Sequence, residues 1–321
     1  MPSSTPDAPL RLGISACLLG EPVRYDGGHK RDRLLSDQLG RWVEWVPVCP
    51  ELEAGLGVPR PPMQLVGQGQ SIRLLERESG RDHTRTLQRF STRRVRELLA
   101  LELAGYVFKR DSPSCGIRRV PVFGARARPR REGRGIFAAA LCDALPDLPV
   151  EDEGRLQDPR LRENFIERSF AFARLRELFR GRWTVRQVAA FHEAHELQLI
   201  AHSPGVYRAL QRQLAAFAKT PRGEFRARYR AEFMAALAKP ASRARTTSAL
   251  RRAARHFERQ LPSRARRELA ASIDAYSGGE IALRVPLARI RRHARQLSVK
   301  PLEGQTFLEA RLDEHLGGKR V

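Results

Sequence analysis

Three cysteines are spaced far apart in the chain, and each stands in a short turn rich in Gly, Pro and Ser. Cys17 lies in SACLLGEPVRYDGG, Cys49 in VPVCPE and Cys115 in DSPSCG. No C-x-x-C is present, so the spacing is not that of a zinc ribbon. Thiolates carried on turns rather than helix faces can meet at one edge of a sheet. Three of them satisfy three irons of a cubane cluster and leave the fourth free to take a ligand, which makes a centre for chemistry rather than for electron transfer alone. Glu51, two residues after Cys49, is placed to act as a general base towards water; it can equally be an acidic residue favoured by a helix N-terminus. Ser112 and Ser114 flank Pro113 in SPSC, and their hydroxyls either donate to a developing anion or cap the following helix. Asp26 in RYDGG and Asp111 are possible proton relays, although Asp-Gly is also a plain turn. Lys109 and Arg110 offset the negative charge of a cluster or are simply solvated. Cys142, following FAAAL, reads as core; as a fourth ligand it would close the open iron. His192, His195 and His202 form no HExxH, and they read as structural histidines or polar surface rather than a second metal site.

The elements that must position these residues alternate at first. LRLGISACLLG is a short strand, Leu10 to Ile14, running into a tight turn. DRLLSDQLGRW is a helix, WVEWVPVCPE a strand ending at Cys49, VRELLALELAG a helix closed by Gly105, and YVFKRDSPSCG a strand ending in the Cys115 turn. All three cysteines therefore follow strands, where open α/β sheets hold their ligands. The pattern predicts an α/β domain over 10–150, with a mostly parallel, Rossmann-like sheet between helical layers, and a disordered tail over 1–9. After the Pro- and acid-rich CDALPDLPVEDEG, residues 151–321 read as an all-α domain. Asp158 caps a helix that starts at Pro159, with Leu161, Phe165, Phe172, Leu175 and Phe179 at core spacing. TVRQVAAFHEAHELQLIAH is a second helix, and others cover about 206–218, 223–238, 242–260, 263–277 and 286–297. The stretch ARARPRREGR, 125–134, reads as a basic loop.

Formal net charge is +23, from 59 basic and 36 acidic residues. Residues 1–150 carry a net +7 and residues 151–321 a net +16. Such a field attracts polyanions, although an arginine-biased composition with solvated helix faces produces it too. The imbalance between the halves favours nucleic acid. Arg243, Arg245, Arg251, Arg252, Arg255 and Arg259 are the candidate RNA-binding residues, with Arg252, Arg255 and Arg259 at helical spacing on one face. No apolar run is long enough to span a membrane. Four cysteines without an apolar leader point to a reducing, cytoplasmic setting.

The strings SACLLGEPVRYDGGHKR, VPVCPELEAGLGVPRPPMQL, DHT (Asp82 to Thr84) and SPSCG resemble the bacterial thiouracil desulfidase family. ENFIERSFAF, FHEAHELQLIAHSPGVYRAL, FMAALAKPASRAR and YSGGEIALRVPLARIRRH resemble a helical domain of unknown function often fused to it. The resemblance implies a [4Fe–4S] cluster on Cys17, Cys49 and Cys115 whose free iron takes the thiocarbonyl sulfur of a thiolated pyrimidine. It implies Glu51 as the activator of water, and Ser114 or Ser112 as an aid to proton transfer. Sulfur is exchanged for oxygen without net redox. Two-domain members resemble enzymes acting on 4-thiouridine in transfer RNA, held by the helical domain. Free 2-thiouracil as substrate is an alternative, as is a nucleic-acid-binding regulator with a structural or sensory cluster. The chain departs from the family pattern at Asp111, at Glu196 and in TTSALRR.

Overall fold

The computed structural model describes residues 9–124, 128–257 and 259–309. The expected tail over 1–9 lies almost wholly outside them, as do residues 125–127 of the basic loop. The chain divides into two compact units at Phe165/Ile166.

The first unit holds eight strands: β1 (Leu10–Ser15), β2 (Val43–Val48), β3 (Met63–Val66), β4 (Arg73–Glu76), β5 (Gly105–Phe108), β6 (Val120–Phe123), β7 (Arg130–Gly133) and β8 (Val150–Asp152). Its helices are α1 (Pro50–Glu53), α2 (Thr84–Ala100) and α3 (Ile136–Ala144). Four strands form an all-parallel sheet in the order β2-β1-β5-β8. Leu12, Ile14, Tyr106, Val107 and Phe108 are fully buried in it, the continuous apolar signature of a parallel strand covered on both faces. Gly13 pairs with Tyr106 across β1 and β5; a Cβ there would stand 2.2 Å from the Tyr106 ring, so only glycine lets that ring lie over the strand. Phe90 of α2 and Phe137 of α3 complete the aromatic layer with Tyr106 and Phe108.

Several local expectations are revised. The second sheet, β4-β3-β6-β7, has one parallel and two antiparallel pairings, so strand and helix do not alternate throughout. β7 includes Arg130 and Arg131 of the expected basic loop. DRLLSDQLGRW forms only a π turn, Leu34–Gln38, and a 3-10 turn, Leu39–Arg41. Gly105 does not close a helix: α2 ends at Ala100, Glu102 takes the positive φ of 53°, and Gly105 opens β5. Val150–Asp152, within the stretch read as a connector, is the edge strand beside β5, and the compact unit runs on to Phe165.

α4 (Pro159–Leu178) begins at Pro159, with Oδ1 of Asp158 accepting from the Arg160 N–H at 2.8 Å. Phe165, Phe172, Leu175 and Phe179 are buried as their spacing requires. The second unit continues with α5 (Val185–Ala194), α6 (Glu196–His202), α7 (Pro204–Ala215), α8 (Arg222–Leu237), α9 (Arg243–Arg255), α10 (Ser263–Gly278) and α11 (Arg284–Gln296). A capping box between Thr184 and Gln187 starts α5. The long helix expected from TVRQVAAF to LIAH is broken at His195, whose ψ of 10° separates α5 from α6. α9 stops at Arg255 because the chain turns to bury Phe257 among Leu250, Ala253, Leu269 and Ile273. Arg259 therefore leaves the helical face expected to carry it with Arg252 and Arg255.

Candidate active site

The three cysteines follow three adjacent parallel strands. β1 runs directly into Cys17, β2 into Cys49, and β5 is followed seven residues later by Cys115. Strand order reverses beside β1, the crevice at which such sheets bind ligands. Cys17, Cys49 and Cys115 line one cavity of about 280 Å³ there, together with Glu51, Arg60, Lys109 and Ser112.

Local hydrogen bonds fix each turn. The Cys17 carbonyl accepts from the Lys30 N–H (2.9 Å) and the Gly20 N–H (3.3 Å). The Cys49 thiol lies 3.6 Å from the Val23 carbonyl, and the Cys49 N–H donates to Oε1 of Glu53 at 2.8 Å. Around Cys115, the unpaired N–H groups of the first turn of α3 are satisfied by the loop itself: Ile136 donates to the Pro113 carbonyl and Phe137 to that of Ser114. A Cβ on Gly135 would stand 2.4 Å from the Ser114 carbonyl, so glycine is what lets helix and loop approach.

Burial raises all three thiols. Cys17 is pushed up to about 11, with the negative charge of Cys49 adding to desolvation. Cys49 is raised, and Cys115 is raised well above its ordinary value, partly offset by a hydrogen bond to Ser15. Thiols in this state need a metal's positive charge to give up their protons. Among the described residues no three His, Cys, Asp or Glu side chains are grouped to hold a single ion. An iron–sulfur cluster asks for something different, since each thiolate takes its own iron. Three soft donors lining one cavity are a donor set that a cluster takes. Cys142, half-buried near the end of α3, does not line the cavity.

Glu51, in the single turn of α1, faces the cavity with both carboxylate oxygens engaged. Oε1 accepts a close hydrogen bond from the Ser114 hydroxyl, and Oε2 accepts from Arg60 through Nε (2.9 Å) and Nη2 (2.6 Å). Ser114 has no solvent exposure and sits behind Glu51 rather than on the cavity wall. Ser112 does line the cavity, and its Oγ accepts from the Ser114 N–H (3.2 Å) and the Cys115 N–H (3.1 Å), shaping the turn. Asp26 is not on the cavity wall. Its Oδ1 accepts from the Gly28 N–H at 3.1 Å, chiefly that bond lowers its carboxyl, and Arg24 pairs with it. Asp111 lines the cavity and pairs with Arg131. Lys109 is tied to Glu153 at 2.5 Å. Arg60 is the main addition to the residues expected from the sequence; nothing in GVPRPP marks that arginine as buried.

In the helical unit, four of the six candidate arginines are engaged with the protein. Arg243 donates to the Tyr276 carbonyl (2.7 Å), Arg245 to that of His202 (2.9 Å), Arg251 pairs with Asp274 (2.9 Å) and Arg252 with Glu196. Arg255 and Arg259 are exposed. His192 stacks on Tyr207, His195 on Phe191, and His202 bonds the Lys239 carbonyl; the three have separate partners, and no metal-binding group of described residues includes them.

A parallel sheet with three thiols and a braced carboxylate at its carboxyl edge defines a candidate metal-dependent enzyme. Residues 12–153 match the model of the 2-thiouracil desulfurase family, and residues 196–310 that of a protein family of unknown function, DUF1722. A solved [4Fe-4S]-dependent thiouracil desulfidase, TudS, is 34% identical over 48% of this chain and 97% of its own, with a TM-score of 0.40. The uncharacterized protein YbbK of Bacillus subtilis (strain 168) is 28% identical over 148 residues, 44% of this chain and 95% of that relative. The uncharacterized protein YbgA of Escherichia coli (strain K12) is 28% identical over 151 residues, 47% of this chain and 89% of that relative. The chain belongs to the 2-thiouracil desulfurase family. No helix among the described residues is long and apolar enough to cross a membrane.

Proposed function

We propose that the chain is an iron–sulfur desulfidase that replaces the thiocarbonyl sulfur of a thiolated uracil with oxygen. The carrying observation is that Cys17, Cys49 and Cys115 line the cavity which Glu51 also faces. The three thiolates would hold a [4Fe–4S] cluster, which supplies, when bound, an iron with no protein ligand and an affinity for sulfur. Glu51 accepts a proton from water attacking the ring carbon. Ser114 holds that carboxylate from behind, and Ser112 keeps the Cys115 turn in place. Lys109 and Arg24 contribute positive charge beside Cys17. The balance is hydrolytic: the carbon–sulfur double bond and water become a carbonyl and hydrogen sulfide, with no change of oxidation state.

The substrate in this reading is 4-thiouridine within transfer RNA, held by the helical half in a cytoplasmic setting. The net +16 of residues 151–321 supports it. Protein reconstituted anaerobically with iron and sulfide is mixed with thiolated transfer RNA, 4-thiouridine or free 2-thiouracil, and hydrogen sulfide is measured. Faster release from the transfer RNA supports the reading. Release only from 2-thiouracil makes the free base the substrate, and nucleic-acid binding without release leaves a regulator.

A further inference from the structure

Arg60 is a buried cation on the cavity wall, paired with the carboxylate of the site. Its side chain is 4% exposed, in the loop between α1 and β3. Nε and Nη2 both meet Oε2 of Glu51; Nη1 donates to the Gly57 carbonyl (2.8 Å) and Nη2 also to the Val23 carbonyl (3.1 Å). The same Val23 carbonyl stands 3.6 Å from the Cys49 thiol. The Arg60 N–H donates to the Tyr25 carbonyl at 2.9 Å, so backbone and side chain both strap this loop to residues 23–25.

A carboxylate with one oxygen held from one side can rotate about its terminal bond. Glu51 cannot, because Arg60 occupies Oε2 while Ser114 occupies Oε1. A guanidinium is planar and forked, so it fixes direction as well as charge; a lysine ammonium would supply charge alone. Breaking such a pair leaves the other charge buried without its partner.

We infer that Arg60 is the positioning residue of the reaction. It locks the Glu51 carboxylate in one orientation, with Oε1 on Ser114 and Oε2 on the guanidinium, and through Val23 it registers that carboxylate against the Cys49 turn. The inference rests on the reading of Glu51 as the group that activates water. Misplacing a reacting group by about 1 Å costs on the order of 100-fold in rate, and this is the loss expected in kcat for Arg60→Met, with KM within about twofold of the parent by the same reasoning, since orientation and not binding is removed.

Arg60→Met, Arg60→Lys, Glu51→Gln and the double variant Arg60→Met/Glu51→Gln are reconstituted; iron content, kcat and KM are measured, and metal-free samples are melted. Iron content is expected to hold at the parental value in all four. Arg60→Lys is expected to recover little kcat, and added guanidinium ion to restore part of the kcat of Arg60→Met. In the metal-free samples Arg60→Met lowers the melting midpoint, and the added Glu51→Gln raises it again because the unpaired carboxylate is gone. Parental kcat in Arg60→Met or Arg60→Lys with full iron, while Glu51→Gln is inactive, overturns the inference and leaves the role of Glu51 standing. Parental kcat in Glu51→Gln overturns that role first. Additive melting shifts would show that the two residues are not coupled, and would also overturn it.

Discussion

The hydroxyl of Ser114, wholly buried, donates to Oε1 of Glu51, which lies 63 residues earlier in the chain. Ser114 is next to the cavity cysteine Cys115, and Glu51 is two residues from Cys49, so one hydrogen bond joins the turns after β5 and β2 across the intervening β1 strand. The carboxylate is set by its contacts before any substrate arrives.

Ser114→Ala and Ser112→Ala are expected to separate two roles. Removing the Ser114 hydroxyl frees one oxygen of Glu51, and kcat should fall on the order of 100-fold with iron retained. Removing the Ser112 hydroxyl leaves two backbone N–H groups without their acceptor, a cost of about 1 kcal/mol or more, and should lower the melting midpoint and the iron retained. Turnover per iron, measured for both, checks the division.

Gly135→Ala tests the junction of α3 with the Cys115 loop. The added methyl would overlap the Ser114 backbone, and rigid backbone cannot rotate aside as a side chain can. A loss of about 1–3 kcal/mol is expected, together with weaker iron retention, because the displaced segment carries Cys115. Denaturant melts and iron analysis of the same sample read both effects.

The strand ends are the most legible part of the sequence. β1, β2 and β5 stand out as short, largely apolar runs that each lead into a Cys-bearing turn, and the convergence of Cys17, Cys49 and Cys115 follows from that repeated placement. The second sheet is not legible, because its strands are four residues each; β3, β4 and β7 carry polar residues such as Gln64, Arg73 and Arg131, and β6 is interrupted by Pro121. Arg60 is hidden for a related reason: its burial depends on Glu51, Gly57 and Val23 closing around it, which no local pattern encodes. The break at His195 is also tertiary, as its ring packs on Phe191 and against Phe233.

Stability should fall on acidification. Burial lowers His195 to about 3 and His192 to about 4 from an ordinary 6.5. Both are neutral when folded near neutral pH, while the unfolded chain takes up protons below about 6.5, so unfolding is favoured as pH drops from there towards 4. Each histidine contributes up to about 1.4 kcal/mol per pH unit in that window. Melting of the full chain at about pH 7, above this window, and at about pH 5, inside it, should by the same linkage show a lower midpoint at the acid end, and His195→Gln should flatten the difference.

Arginines of the helical unit should divide by their partners. Arg243 and Arg245 hold backbone carbonyls, so their replacement by Ala should lower the melting midpoint. Arg255 and Arg259 are exposed; replacing both by Ser should leave melting unchanged and weaken transfer-RNA binding. The slope of log affinity against log salt should then fall by about 1 for each phosphate that is no longer neutralised. Unchanged affinity would count against these two arginines as contacts of the proposed transfer-RNA substrate.

The central claim is tested most directly by counting iron in the anaerobically reconstituted parent and in Cys17→Ser, Cys49→Ser, Cys115→Ser and Cys142→Ser. The expected result is about four irons per chain in the parent and in Cys142→Ser, the stoichiometry of a cubane, with a marked loss in each of the other three. Equal loss in Cys142→Ser, or a parent that binds no iron at all, would contradict a three-thiolate cluster with one iron left for the substrate's sulfur.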